Sequence, residues 1–440
     1  MDTPILKMLK EYSERDILRL HMPGHKGRLD KNDITEVEGA DSLFDASGVI
    51  MESEENAGKL FGADTFYSTE GSSLSIRAMV YLTSLYAKET GKDSLILAAR
   101  NAHKSFVSAA ALTDVSVEWM LPKKNYGYLS CPLTSDEVEE QIRKKDPIAV
   151  YITSPDYLGR TCDVGGIAEV CHRYGVLLLV DNAHGAYLKF LEGSMHPMDL
   201  GADMCCDSAH KTLEVLGGGA YLHVGRNAPK IFSERARSAM SLFASTSPSY
   251  LILASLDGVN ERLGDDFKAV LTSFVNKIKV FNEKLERIGY KNVSEEPLKI
   301  TLDAKDYGYT GDALAKELLR KDIVTEFHDR DYLVLMLSPY MTDGELERLY
   351  SALKNIPKRA AITEKSPKLT LPERKVGLRE AVFSASEVLP CDSCLGRTLA
   401  SVTVGCPPAV PIIVSGEVID ENIISAAKYY GTEYFTVIKE

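Results

Sequence analysis

Between about residue 60 and residue 225, short apolar runs alternate with stretches of helical spacing, and this alternation limits the fold of the 440-residue chain more than any other feature. Ser94 to Ala99, Ile148 to Thr153 and Val176 to Val180 read as buried strands. Between them, Lys104 to Leu112 and Ile167 to Tyr174 carry apolar side chains at helical spacing. The alternation predicts an α/β large domain, a mainly parallel sheet covered by helices. Such sheets bind ligands beyond the carboxyl ends of their strands, and Asp181 is expected just past the end of one.

The remaining chain divides by pattern. Residues 1–50 form an N-terminal arm, opening on an amphipathic helix with Ile5, Leu6, Met8 and Leu9 on its apolar side. Residues 51–290 are assigned to the large domain, whose last part, about 250 to 288, reads as largely helical. Residues 291–357 read as a smaller α+β domain: strands Leu298 to Leu302 and Tyr332 to Leu337, helices Gly311 to Arg320 and Asp343 to Lys354. Residues 358–440 are a linker and C-terminal segment. Its first part, to Arg374, is rich in Lys, Pro, Glu and Thr; a helix is expected around Leu378 to Val388 and a Pro-rich turn at Cys406 to Pro411.

Composition removes several function classes. A net charge of −12 without a long basic run gives no surface for nucleic-acid phosphates. No run reaches the roughly 18 apolar residues that span a bilayer, and the first residues lack the apolar core of a signal peptide, so a cytoplasmic protein is expected. Eight scattered cysteines fit reduced thiols. Cys391 and Cys394 form a lone CxxC for which chance spacing outweighs a zinc or redox role, and no metal site is expected.

The chemistry concentrates on two residues. Lys211 follows Asp181 by thirty positions (211 minus 181) and is flanked by Ser208 and His210. An acid at the end of an apolar strand and a lysine beside hydroxyl and imidazole donors suit pyridoxal phosphate. The amine forms a Schiff base with the aldehyde, and the carboxylate keeps the pyridine nitrogen protonated. Ser208 and His210 can donate to the phosphate. So can the start of the helix after Gly71, where Ser72 or Ser73 can cap and bond an anion, although a plain N-cap explains those serines equally well. Glu70 fits only if it points away from that anion. His103, opening the helix after Ser94 to Ala99, can lie flat on a cofactor ring or simply cap the helix. His184 can bond Asp181 or a substrate, or only pack.

As a set, these motifs resemble the Orn/Lys/Arg decarboxylase family of pyridoxal-phosphate enzymes. The resemblance rests on His21-Met22-Pro23-Gly24-His25-Lys26-Gly27, Arg100 to Ser105, Thr153 to Tyr157, Asp181 to Gly185, Ser208 to Leu213 and Ser245 to Tyr250. Arg379 to Ala381, Gly396-Arg397 and Pro407-Pro408 extend it towards the end of the chain. It implies an aspartate aminotransferase-like fold, Lys211 in covalent linkage to the cofactor, Asp181 on the pyridine nitrogen and His103 stacked on the ring. Ser72, Ser73, Ser208 and His210 would hold the phosphate. It also implies a homodimer or larger assembly, with His25, Lys26 and Ser247 to Tyr250 serving a neighbouring subunit's site. With 22 residues before Pro23, the chain resembles the short form without a wing domain. It departs from the family at Glu70, Asp156 and Cys406, which bears on the substrate rather than the cofactor.

The expected activity is decarboxylation of a basic amino acid, arginine first, then lysine or ornithine, with Glu417 or Asp156 as candidates to meet the distal cation. An aminotransferase or β-eliminating lyase would use Lys211 and Asp181 equally, and a non-catalytic cofactor-binding regulator is the remaining alternative.

Overall fold

The computed structural model describes residues 1–402 and 404–440. The chain divides into two compact units: Met1–Ala98 with Ser135–Ser154 and Asp163–Ala269, and Ala99–Thr134 with Pro155–Cys162 and Val270–Glu440. Seven strands precede Gly225: β1 (Asp64–Ser68), β2 (Leu95–Ala99), β3 (Ser116–Met120), β4 (Ala149–Thr153), β5 (Leu177–Asp181), β6 (Met204–Asp207) and β7 (Ala220–Val224). All but β3 belong to the first unit, where they run in the order β1-β7-β6-β5-β4-β2.

The middle of this sheet is parallel, with Leu97 opposite Val150, Tyr151 opposite Leu179 and Asp181 opposite Cys206. β7 runs antiparallel to β6, and β1 antiparallel to β7. Every residue of β5, β6 and β7 is buried. Each buried Leu or Val contributes roughly 1.5–3 kcal/mol, so packing on both faces fixes these strands and leaves their ends to carry polar groups. Helix Ser72–Thr90 packs on β6 and β7 and stops where Gly91 takes a left-handed φ of +69°. Helix Val164–Arg173 is capped by Asp163, whose carboxylate accepts from the Gly166 amide at 3.1 Å.

The three central strands expected from the sequence are present within a residue or two, but Asp181 is the last residue of β5 rather than the first beyond it. The amphipathic helix at the start spans Pro4–Glu14.

In the second unit the Arg100 amide donates to the Met120 carbonyl at 3.0 Å, tying the residues before helix Lys104–Thr113 to the end of β3. β8 (Lys299–Asp303), β9 (Phe327–His328) and β10 (Tyr332–Met336) form an antiparallel sheet in the order β8-β10-β9. β11 (Ser386–Pro390), β12 (Leu399–Ser401) and β13 (Tyr434–Ile438) form another in the order β11-β13-β12.

The helix expected over Leu378 to Val388 ends at Phe383, and Ser386–Pro390 pairs instead with Tyr434–Ile438. A short segment takes whichever state the rest of the chain satisfies, and this partner lies almost fifty residues away (434 minus 386). Cys391 and Cys394 are free thiols packed in that sheet's core with Leu399, Ile419 and Phe435. Among the described residues no helix is long and apolar enough to cross a membrane.

Candidate active site

The candidate residues of the first unit gather at the ends of β5 and β6 and at the turn before helix Ser72–Thr90. Asp181 is 2% exposed. Among the described residues, the donors that reach its carboxylate are neutral: the Tyr151 hydroxyl at 3.1 Å, the Ala183 amide at 3.2 Å and the Cys206 thiol at 3.6 Å. Burial and the charge of Asp181 push the Tyr151 phenol and Cys206 thiol well above their ordinary pKa values, so both stay protonated and act as donors. A carboxylate held this way is a site for a cation or a protonated ring nitrogen, since a buried charge is costly until something of opposite sign meets it.

Lys211 lies in the short helix Ala209–Thr212, one turn beyond β6. Its Nζ is 3.2 Å from Nε2 of His184, which follows Asp181 by three residues. Contact with the lysine amine is a role the sequence did not suggest for His184, whose imidazole is 4% exposed.

The anion end is built by glycine and serine. Gly71 takes φ +70° and ψ 178°, a conformation essentially confined to glycine, and its amide donates to the Gly218 carbonyl at 2.7 Å. Gly218 has φ +99°, and a Cβ there would come within 2.8 Å of the Thr69 carbonyl oxygen. At Gly218 the two segments therefore approach as only a glycine allows. The N-cap is Gly71 itself, not Ser72 or Ser73, which are the first two helical residues. Ser72 is instead within 2.8 Å of Ser208, hydroxyl to hydroxyl. The amides of a first helical turn have no acceptor within the helix, so they and these hydroxyls suit a phosphate. Glu70 is turned aside: its carboxylate accepts from the Ser245 amide at 2.6 Å.

His210 is not the ready phosphate donor expected from the sequence. Its Nδ1 is 2.9 Å from the Gly219 carbonyl, which can only accept, so Nδ1 carries the proton. Burial and Lys211 lower its pKa, and the neutral ring offers Nε2 as an acceptor. It can donate to a phosphate only when that dianion draws a second proton onto the ring.

His103 lies in the second unit as the N-cap of helix Lys104–Thr113, its Nδ1 accepting from the Ser105 amide at 3.1 Å. Asp156 and Glu417, expected as candidates for a substrate cation, are both spent inside the protein. Glu417 pairs with Arg100 at 2.8 Å with both side chains buried, and it also accepts from the Val414 amide at 2.9 Å. Asp156 accepts from the Leu158 and Arg160 amides at 2.9 and 3.0 Å and from the Ser130 hydroxyl. Burial raises the Asp156 pKa to about 6. Ser249 and Tyr250 are likewise engaged within the chain, Ser249 as a helix cap and Tyr250 through its hydroxyl on the Asp41 carbonyl at 2.6 Å.

Sequence reading missed Tyr151, although a tyrosine inside an otherwise apolar strand is a signal, because its hydroxyl must find a partner when buried. The donor set fits pyridoxal phosphate. It offers an amine for the aldehyde, a buried carboxylate with neutral donors for the pyridine nitrogen, and a glycine-shaped helix start with two serine hydroxyls for the phosphate.

A family model described as Orn/Lys/Arg decarboxylase, major domain, matches residues 28–301. Among curated proteins the chain is similar to the arginine decarboxylase of Bacillus subtilis (strain 168), 28% identical over 461 residues, covering 96% of this chain and 92% of the relative. Among solved structures it is similar to the Francisella novicida lysine decarboxylase LdcF. That match has a TM-score of 0.81 and 20% identity over 99% of this chain and 81% of the other. A structure of SPT with PLP internal aldimine gives a TM-score of 0.55 and 12% identity over 80% of this chain and 83% of the other. The structural matches show the fold, the aspartate aminotransferase-like architecture implied by the sequence motifs.

Proposed function

Because the chain belongs to the Orn/Lys/Arg decarboxylase family, we propose that it removes CO₂ from a basic amino acid, arginine, lysine or ornithine, releasing the amine with pyridoxal phosphate as cofactor. The observation that carries this reading is the buried Asp181, met by neutral donors, at the end of the strand beside the one that leads to Lys211. When bound, the cofactor supplies a protonated pyridine ring that takes up the electron pair left by the departing carboxylate.

The chain's own residues would do the rest. Asp181 holds the ring proton, and the Tyr151 and Cys206 donors fix the direction of its oxygens. Lys211 would hold the cofactor through its amine, with His184 beside that amine to take or return a proton. Ser72, Ser73, Ser208 and the first turn of helix Ser72–Thr90 hold the phosphate, and His210 joins them as an imidazolium. His103 keeps the role implied by the resemblance, on the face of the ring. Since its Nδ1 accepts from Ser105, Nε2 is the atom that moves a proton. The protein works as a cytoplasmic homodimer or larger assembly.

The test is to load the purified protein with pyridoxal phosphate, supply arginine, lysine and ornithine in turn, and follow CO₂ and amine. Release of both from one of the three is expected. Transfer of the amino group to a keto acid without CO₂ would replace this reading by an aminotransferase, and silence with every amino acid by a non-catalytic binding protein.

A further inference from the structure

Behind the Asp181 and Lys211 strand ends lies a polar cluster that the reaction does not use. Asp207, the last residue of β6, is fully buried with His196 and His223. Both imidazole Nε2 atoms reach the same carboxylate oxygen, at 3.0 and 3.2 Å, while the other oxygen accepts from the Asn182 amide nitrogen at 2.6 Å. With Cys205, these groups bring ligand atoms within 4.8 Å of one another, the kind of donor set a zinc ion takes. The protons argue against a metal. The Met198 amide donates to His196 Nδ1 at 3.3 Å, so that nitrogen keeps its lone pair and the proton sits on Nε2, which then has nothing to give an ion. On His223, Nδ1 faces the Thr65 hydroxyl at 2.9 Å, which leaves its Nε2–H for Asp207 in the same way. Three N–H groups converge on one carboxylate, and the cluster is complete without an ion.

Its placement gives it a use. Asn182 directly follows Asp181, and Asp207 directly precedes the Ser208 to Lys211 turn. The backbone joins the same two segments once more, with the Asn182 amide on the Cys206 carbonyl at 3.0 Å.

We propose that Asp207, held by His196 and His223, is a positioning residue. By gripping Asn182 it sets the end of β5 and the start of the lysine turn in one register, so that Asp181 and Lys211 meet the same cofactor. The inference rests on the pyridoxal-phosphate reading above. A small misplacement of either group is costly, since both must address opposite ends of one rigid ring.

The experiment measures pyridoxal phosphate affinity by absorbance titration, and the thermal midpoint of the cofactor-free protein, in four forms: wild type, Asn182→Ala, Asp207→Asn, and Asn182→Asp combined with Asp207→Asn. In the combined variant the amide and carboxylate exchange places. Every hydrogen bond of the grip is kept, because the new amide oxygen still accepts from both imidazoles and its nitrogen donates to the new carboxylate. Each single variant is expected to bind the cofactor about tenfold more weakly, the size of one lost charge-assisted hydrogen bond. The exchanged pair should recover to within about threefold of wild type on the same scale. Single variants that bind like wild type, an exchanged pair no better than Asp207→Asn, or an Asn182→Ala protein that fails to fold would each overturn the positioning role. The last result would make the grip a support of the whole fold. If wild type itself binds no pyridoxal phosphate, it is the cofactor reading that falls.

Discussion

In the proposed reaction Lys211 and Asp181 divide the chemistry of the site between a bond and a charge, so their replacements should fail differently. Lys211→Ala should still bind pyridoxal phosphate, but no cofactor should remain attached after borohydride reduction, as read by mass spectrometry; attachment at another lysine would count against its role. Asp181→Asn keeps the shape and most of the hydrogen bonding while removing the charge that holds the ring proton. Cofactor binding should survive, and kcat should drop by about 10²–10³, the usual loss when one electrostatic partner of the transition state is removed. A KM change without a kcat change would assign Asp181 to binding alone. At this scale the sequence was informative about identity and poor on partners. Lys211, Asp181 and the serines stood out by type and spacing, but that Nδ1 of His210 is already committed to Gly219, or that Glu417 is held by Arg100, depends on atoms distant in the chain.

The turn before helix Ser72–Thr90 is where an element, rather than a residue, makes the site. Gly218 brings two segments closer than any side chain permits, and the 2.7 Å bond from the Gly71 amide to the Gly218 carbonyl joins them. Gly218→Ala would drive a methyl against the Thr69 carbonyl at a φ of +99°, at a cost of roughly 1–3 kcal/mol. The expected result is a lower thermal midpoint together with weaker pyridoxal phosphate binding, because the strain is relieved by moving the helix start. An unchanged cofactor affinity would show that this turn is no part of the phosphate site. The sequence marked Gly71 but placed the cap on the residue after it. A serine at a helix start reads as a cap from sequence, and only the fold shows that Ser72 is already inside the helix and facing Ser208.

At the scale of the whole molecule, the pKa directions in the buried Asp207 cluster predict how that cluster's share of the stability responds to acid. The pKa of His223 is lowered from 6.5, burial being the main cause with Asp207 opposing it. Burial would raise Asp207, but His196 and His223 outweigh it and hold its pKa below the ordinary 3.8. Both folded values lie below the unfolded ones, so in acid the unfolded chain takes up more protons. The stability they contribute is intact above 6.5 and declines as the pH falls below it, through His223 first and through Asp207 below 3.8. The difference in urea midpoint between wild type and His223→Asn should therefore shrink as the pH falls from about 7 to about 5; a difference that stays constant with pH would contradict the assignment. The sequence by itself determined the parallel α/β core, because continuous apolar strands separated by helices have few ways to bury their surface, and it picked out the residues on which the proposed chemistry rests, because an amine and an acid at strand ends are recognisable by type. Only the tertiary structure decided that Ser386–Pro390 is a strand, that Asp156 and Glu417 are spent within the fold, and that Asp207 holds Asn182, the residue after Asp181. Each of those outcomes depends on a partner far along the chain, and which distant groups meet is settled by how the whole core packs rather than by local sequence.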